Sequence, residues 1–249
     1  MVAPDECVQP QMSSRETIGI SIATIEGGAL CYQFLARAAA RRQLPCPEVV
    51  AHSPGSAEVM PLPRAIASGD LSGTVRIVHR SLTKLKTAGA TFAIIPANTI
   101  HFAWREIEQV SPLPLLSIVE VVAGHCEKKG YGNVGVLGTA ATMRGELYST
   151  PLNMRGIEVT YPTDAEIADV NRIIMMELVF GILSPDSRRR IESVVTGLID
   201  RGARAIVLGC TELPMIIDAN SSQVPLIDST QLLAVAAIDY AYSGANCIA

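Results

Sequence analysis

GATFAIIPANT (Gly89 to Thr99) and GARAIVLGCT (Gly202 to Thr211) are two versions of one pattern. Each opens on Gly-Ala, runs through an apolar segment of strand length, and ends on a small turn residue and a Thr. Two further pairs flank them in the same order. Ile18-Gly-Ile matches Val134-Gly-Val upstream, and Pro114-Leu-Leu-Ser-Ile matches Pro225-Leu-Ile-Asp-Ser downstream. The offsets are 116, 113 and 111 residues, so three correspondences are kept in register. One blurred copy would be noise; three in order imply two similar halves. Ligands in open α/β sheets sit beyond the carboxyl ends of strands. The turns Pro96 to His101 and Gly209 to Pro214 would then face one cleft between the halves.

Outside these segments, apolar runs alternate with helical patterns. Strands are expected at Thr17–Ala23, Glu48–Ala51, Phe92–Pro96, Leu115–Val119, Val134–Gly138, Ile157–Tyr161 and Ala205–Gly209. Helices are expected at Gly28–Arg42, Val75–Ala88, Glu120–Lys129, around Met143–Met154, at Ala165–Gly181, Ser187–Arg201 and Thr230–Tyr242. Leu30, Phe34 and Ala38 put one apolar stripe on the first helix, and Gly89, Gly130 and Gly202 supply stop signals. Continuous apolar strands between helices mean parallel sheets covered on both faces. The fold class is α/β, as two pseudo-symmetric three-layer α/β/α halves. The expected partition is a tail at 1–16, a first half at 17–112 plus about 226–249, and a second half at 113–225.

Composition removes several functions. The chain has 249 residues, is 49% hydrophobic and 18% charged, and has a net charge of -4. Bulk disorder is excluded by that apolar content, and a general nucleic-acid binder by the absence of a basic field. No apolar stretch reaches the roughly 20 residues of a membrane span. The start, MVAPDECVQPQ, has no apolar h-region. A soluble, cytoplasmic protein is the expectation. The cysteines (Cys7, Cys31, Cys46, Cys126, Cys210, Cys247) form no CxxC pair, and the four histidines show no HExxH spacing, so no metal is expected. Gly27-Gly28 precedes a helix, but no GxGxxG or Walker pattern follows, and the pair reads as a flexible loop at the mouth of the site. The run Arg188 to Arg190 reads as a solvated helix face.

The two turns carry the chemistry. Cys210 follows a buried strand, where turn N–H groups would favour the reactive thiolate. The competing reading is a small buried residue filling the turn. Asn98 and Thr99 present polar groups at the matching strand end, or simply cap the next helix. His101 by itself is more often a packing residue than a base.

AGATFAIIPANTIH and RGARAIVLGCTELP together resemble the aspartate/glutamate racemase superfamily, from about Thr17 to Tyr242. Glu212, after Cys210-Thr211, is similar to the aspartate-racemase branch. The resemblance implies proton transfer at an α-carbon by two cysteines, with no pyridoxal phosphate, metal or other cofactor. It implies a small amino acid or related carboxylate as substrate, and a homodimer. Inversion needs an acid and a base on opposite faces, and donors that neutralise the carboxylate as a carbanion develops. Carried over, Cys210 is one acid/base, and Thr24, Asn98, Thr99, Thr139, Thr142 and Thr211 are substrate-binding candidates. His101 and Glu212 are secondary candidates.

Three departures matter. The other cysteine would fall at position 97, where this chain has Ala97. Alanine cannot move a proton. Ala97 is either a substitution of that cysteine, which the intact surroundings favour, or the mark of a one-cysteine member. The glycine-rich loop after the first strand is replaced by Ser21 to Gly28. The Arg and Lys that hold a side-chain carboxylate in aspartate-specific relatives align with Met60 and Ala168, with Arg64 nearby. A less polar side chain is thereby admitted. The leading function is a racemase or epimerase impaired at Ala97. The alternatives are a one-cysteine decarboxylase or isomerase of the same superfamily, and a carboxylate-binding protein without catalysis.

Overall fold

The computed structural model describes residues 16–217 and 222–243. The expected tail falls almost wholly outside them, as do Cys7 and Cys247. Strands β1 (Ile18–Ser21), β2 (Val49–His52), β3 (Phe92–Ile94) and β4 (Leu115–Leu116) form one sheet. Strands β5 (Asn133–Gly138), β6 (Glu158–Thr160), β7 (Ile206–Gly209) and β8 (Leu226–Asp228) form the other. Both sheets are wholly parallel, and their orders are the same, β2-β1-β3-β4 and β6-β5-β7-β8. The register repeats too: Gly19 lies beside Ala93, and Gly135 beside Ile206. These are the residues the internal repeat aligns.

The helices are α1 (Ile25–Arg41), α2 (Ser56–Val59), α3 (Leu62–Ala67), α4 (Ser72–Thr87), α5 (Trp104–Val110) and α6 (Ile118–Lys129). After β5 come α7 (Ala140–Arg144), α8 (Ser149–Asn153), α9 (Asp164–Met176), α10 (Pro185–Asp200) and α11 (Ser229–Ser243). Local chemistry sets their ends. Thr24 caps α1, Ser117 caps α6, Thr163 and Glu166 form a reciprocal capping box on α9, and Ser184 caps α10 ahead of Pro185. Gly89 and Gly202, equivalent in the repeat, follow α4 and α10 at φ of 99° and 103°. An L side chain is strained there, so glycine turns each helix sharply into β3 or β7.

Three layers of core follow. Leu82, Leu85 and Ile107 of α4 and α5 cover the outer face of the first sheet. Ile173 and Leu198 of α9 and α10 cover the outer face of the second. Between the inner faces lie α1, α6, α8 and α11, whose Leu35, Val122, Leu152 and Ala237 join Ile18, Ile20, Val134 and Val136 in one cluster. Each fully buried Leu or Ile stabilises by roughly 1.5–3 kcal/mol. No described helix is long and apolar enough to cross a membrane.

The structure corrects several boundaries. The expected helix at Met143–Met154 is broken: α7 ends at Gly145, in extended backbone, and α8 is a separate helix directed into the central layer. The expected strand Leu115–Val119 stops at Leu116, because Ser117 caps α6. The helix expected to reach Gly181 ends at Met176, and a 3₁₀ turn, Leu178–Phe180, follows. Residues 53–71, where the sequence shows no strand or helix pattern, hold α2 and α3. Gly27 and Gly28 are not loop residues but lie buried in the first turn of α1. The halves also exchange ends. β4 belongs to the first sheet although it lies beyond 112, and β8 belongs to the second although it lies beyond 225. The chain crosses over directly after each of these strands, so α11 leaves the second sheet and packs on α1.

Candidate active site

Four strands end at one cleft. It is lined by Ala23 and Thr24 after β1, Ala97 to Ile100 after β3, Thr139 after β5, and Gly209 to Glu212 after β7. The turns holding Ala97 and Cys210 therefore share a cavity, at equivalent ends of the two sheets. This is the carboxyl-end location that parallel sheets reserve for ligands.

The Cys210 side is built around a buried carboxylate. Glu212 is 2% exposed. One of its oxygens accepts from Thr24 Oγ1 at 2.7 Å; the other accepts from Thr211 Oγ1 at 2.7 Å and from the Cys210 thiol at 3.0 Å. Thr24 therefore serves twice, capping α1 and anchoring Glu212 across the halves. Helix α1 reaches this close only because position 27 is glycine. A Cβ there would fall 2.6 Å from Thr211 Oγ1 and 2.8 Å from Thr24 Oγ1.

The thiol is not activated as expected from its turn. Burial, the Glu212 charge and the hydrogen bond to it push the Cys210 thiol well above its ordinary range. The N–H groups of Thr211 and Glu212 do act on the sulfur in the opposite direction, but they are outweighed. Cys210 thus rests as a protonated acid that donates to a carboxylate. Among the described cysteines only Cys46 is exposed; Cys31 and Cys126 are buried, with their thiols pushed up to about 12 and about 11.

On the opposite side, Thr99 Oγ1 lies 3.2 Å from Thr139 Oγ1, which lies 3.1 Å from Thr142 Oγ1. Thr99 and Thr139 line the cleft, whereas Thr142 is fully buried and meets it only through Thr139. Asn98 also borders the cleft, but its amide is already engaged. Its carbonyl accepts from Tyr148 at 2.5 Å and its nitrogen donates to Ser229 at 3.1 Å; Ser229 in turn donates to the Leu208 carbonyl at 2.8 Å. This buried chain ties the Ala97 turn to the end of β7, and leaves one amide hydrogen of Asn98 uncommitted.

His101 does not face the cleft. Its Nδ1 lies 2.9 Å from the Ala97 carbonyl, its Nε2 accepts from the Ile118 N–H at 3.2 Å, and its ring stacks on Trp104. These partners fix a neutral ring with the proton on Nδ1, and burial lowers its pKa to about 4. It braces the turn and supplies no base to it. Arg64 is exposed on α3 and does not line the cleft, and Ala168 lies exposed on α9. Met60 does line it. The gapless placement of Ala168 fails because α9 meets the cleft later, at Ile174 and Met175.

Sequence reasoning missed Tyr148, Ser229 and the apolar wall from α2 and α3. Val59, Leu62 and Ile66 are divided between helices of 4 and 6 residues, too short for apolar periodicity to reveal the wall. Nothing local in the sequence signals that Tyr148 meets Asn98.

Two like parallel sheets with a thiol, a carboxylate and four threonines at their shared strand ends define a small-molecule site of the α/β class. The chain belongs to the Asp/Glu/hydantoin racemase family, whose model matches residues 20–237. It is 32% identical over 157 residues to the broad specificity amino-acid racemase RacX of Bacillus subtilis, covering 61% of this chain and 65% of that one. It is 25% identical over 145 residues to a glutamate racemase of Deinococcus radiodurans, covering 56% and 48%. The match thus spans less than two thirds of either relative's length. Among solved structures, the aspartate racemase homologue PH1733 of Pyrococcus horikoshii superposes at a TM-score of 0.76 with 29% identity, covering 91% of this chain and 99% of that one. A candidate Asp/Glu racemase from Yersinia pestis gives 0.79 and 31%, with the same coverage.

Proposed function

We propose that this chain is a cofactor-independent amino-acid racemase or epimerase in which Cys210 is the single thiol acid/base and Ala97 limits turnover. One observation carries this reading: the Ala97 and Cys210 turns, equivalent in the two halves, line one cleft. Thr99 and Thr139, with the free amide hydrogen of Asn98, receive the substrate carboxylate and stabilise charge as it develops, while the Thr211 hydroxyl stays committed to Glu212. Cys210 passes its proton to Glu212, and the thiolate then removes the α-proton. The products are a thiol, a protonated Glu212 and a carbanion. Return of a proton from Cys210 gives exchange with retention; inversion needs a donor at the Ala97 face. The active unit on this reading is a soluble homodimer in the cytoplasm.

Ala97→Cys tests the proposal. The unmodified chain should exchange the α-proton of one enantiomer slowly in deuterated water. A missing acid/base costs about 10²–10⁴-fold, so the variant should racemise faster by that order. A second reading is favoured by the protonated state of Cys210. A thiol held as an acid opposite a small residue suits protonation of a carbanion left by loss of CO2. If Ala97→Cys gives no racemisation while the unmodified chain decarboxylates a disubstituted malonate, that reading replaces the first.

A further inference from the structure

Outside the strand-end turns, the cleft has one kind of wall. Val59, Leu62 and Ile66, from α2 and α3, face it from one side, and Ile174, Met175 and Val179, from α9 and the turn after it, from the other. Among the described residues, no Lys, Arg or His lines it. Its one carboxylic acid among the described residues is Glu212, whose two oxygens are already held by Thr24, Thr211 and Cys210.

We infer that the substrate is an amino acid with an uncharged aliphatic side chain, of valine to leucine or methionine size, and that α2–α3 and the end of α9 select it. The inference rests on the proposed racemase reading of the cleft. With the α-carboxylate at the threonines and the α-carbon between positions 97 and 210, the side chain meets the apolar wall. A side-chain carboxylate there would lose its water, gain no cation, and share the cavity with Glu212. A cationic side chain would have only Glu212 to pair with, and that carboxylate is spent on the thiol and hydroxyls. Among the described residues the wall carries no aromatic ring on which an aryl group could stack, so an aliphatic side chain matches it. Met60 sits at the rim, 46% exposed, where a longer polar residue is tolerated without disturbing the core.

The test is α-proton exchange in deuterated water, followed by NMR, with both enantiomers of Val, Leu, Met, Asp, Glu and Lys. The unmodified chain and Ala97→Cys are each assayed, and Met60→Arg is compared with the unmodified chain. Leu and Met should exceed Asp and Glu by about 100-fold in kcat/KM, the scale of an unpaired buried charge. Leu should exceed Val by about fourfold, one buried methylene. Met60→Arg should cut the Leu-to-Glu ratio by about tenfold, because it supplies the missing cation. Asp or Glu exchanging as fast as Leu overturns the inference, as does an unchanged ratio in Met60→Arg. Absence of exchange with every amino acid in both proteins defeats the racemase reading instead. The apolar wall is then judged by thermal stabilisation: 4-methylpentanoate must raise Tm more than glutarate, and an equal or reversed order overturns it.

Discussion

At the scale of single residues, the pair Cys210 and Glu212 governs the chemistry. The Glu212 carboxylate accepts a hydrogen bond from the thiol, with sulfur and oxygen 3.0 Å apart, and by its charge opposes thiolate formation. Removing that charge should lower the thiol's pKa, and each tenfold rise in thiolate raises alkylation equally. Glu212→Gln is expected to make Cys210 react with iodoacetamide at least about tenfold faster at pH 8, read by mass spectrometry of its peptide. In the unmodified chain, exposed Cys46 should be labelled before Cys210. An unaltered Cys210 rate in the variant would show that burial alone suppresses the thiol. The residues TELP after Cys210 disclosed the carboxylate, but not its effect. Turn amides were legible from chain order; the burial that outweighs them was not, because it comes from packing Cys210 into the core of the second half.

At the scale of elements, the first turn of α1 decides how closely the halves meet at the site. Gly→Ala inside a helix ordinarily stabilises by up to about 1 kcal/mol. Here the new methyl would strike Thr211 and Thr24, both bonded to Glu212. Overpacking of that kind costs about 1–3 kcal/mol and should win. Gly27→Ala is therefore expected to lower the urea midpoint and to reduce activity with it; a raised midpoint would contradict the close contact. Strands and long helices were legible because their apolar periodicity and stop signals are local. The break at Gly145 and the short helices α2, α3 and α5 were not. Runs of four to seven residues carry too little periodicity, and their helical form is set by what they cover.

At the scale of the whole molecule, two buried groups pull stability in opposite directions with pH. His101 is held neutral, with its pKa lowered from 6.5 to about 4. As pH falls from 6.5 toward 4 the unfolded chain takes the proton first, so about 3 kcal/mol of stability is lost. Asp228, at the end of β8, receives the N–H groups of Thr230 and Gln231, yet burial raises its pKa from 3.8 to about 6. The folded chain holds that proton more tightly, so its contribution is present below pH 3.8 and is lost as pH rises through 6. The two should offset each other between pH 4 and 6. Relative to its own stability at pH 7, Asp228→Asn should lose more at pH 4.5 than the unmodified chain, and His101→Gln less. Urea unfolding followed by circular dichroism at both pH values checks this; parallel curves for all three proteins would refute it.

The sequence by itself determined the duplication, the parallel α/β class and the two turns that bear chemistry. Those features rest on residue order: apolar runs of strand length, glycines where a helix must reverse, and three correspondences at nearly constant offset. The tertiary structure alone decided how the halves are joined. β4 and β8 each complete the sheet their sequence neighbours suggested they would leave, and α1, α6, α8 and α11 fill one core between the sheets. It also decided which candidates share the cleft. Thr24 came to Glu212 across 188 positions, and Asn98 was claimed by Tyr148 and Ser229. His101 turned to backbone partners, and Arg64 stayed outside. Such pairings depend on which buried polar groups lose water together and must satisfy one another, and no local pattern of residues encodes that.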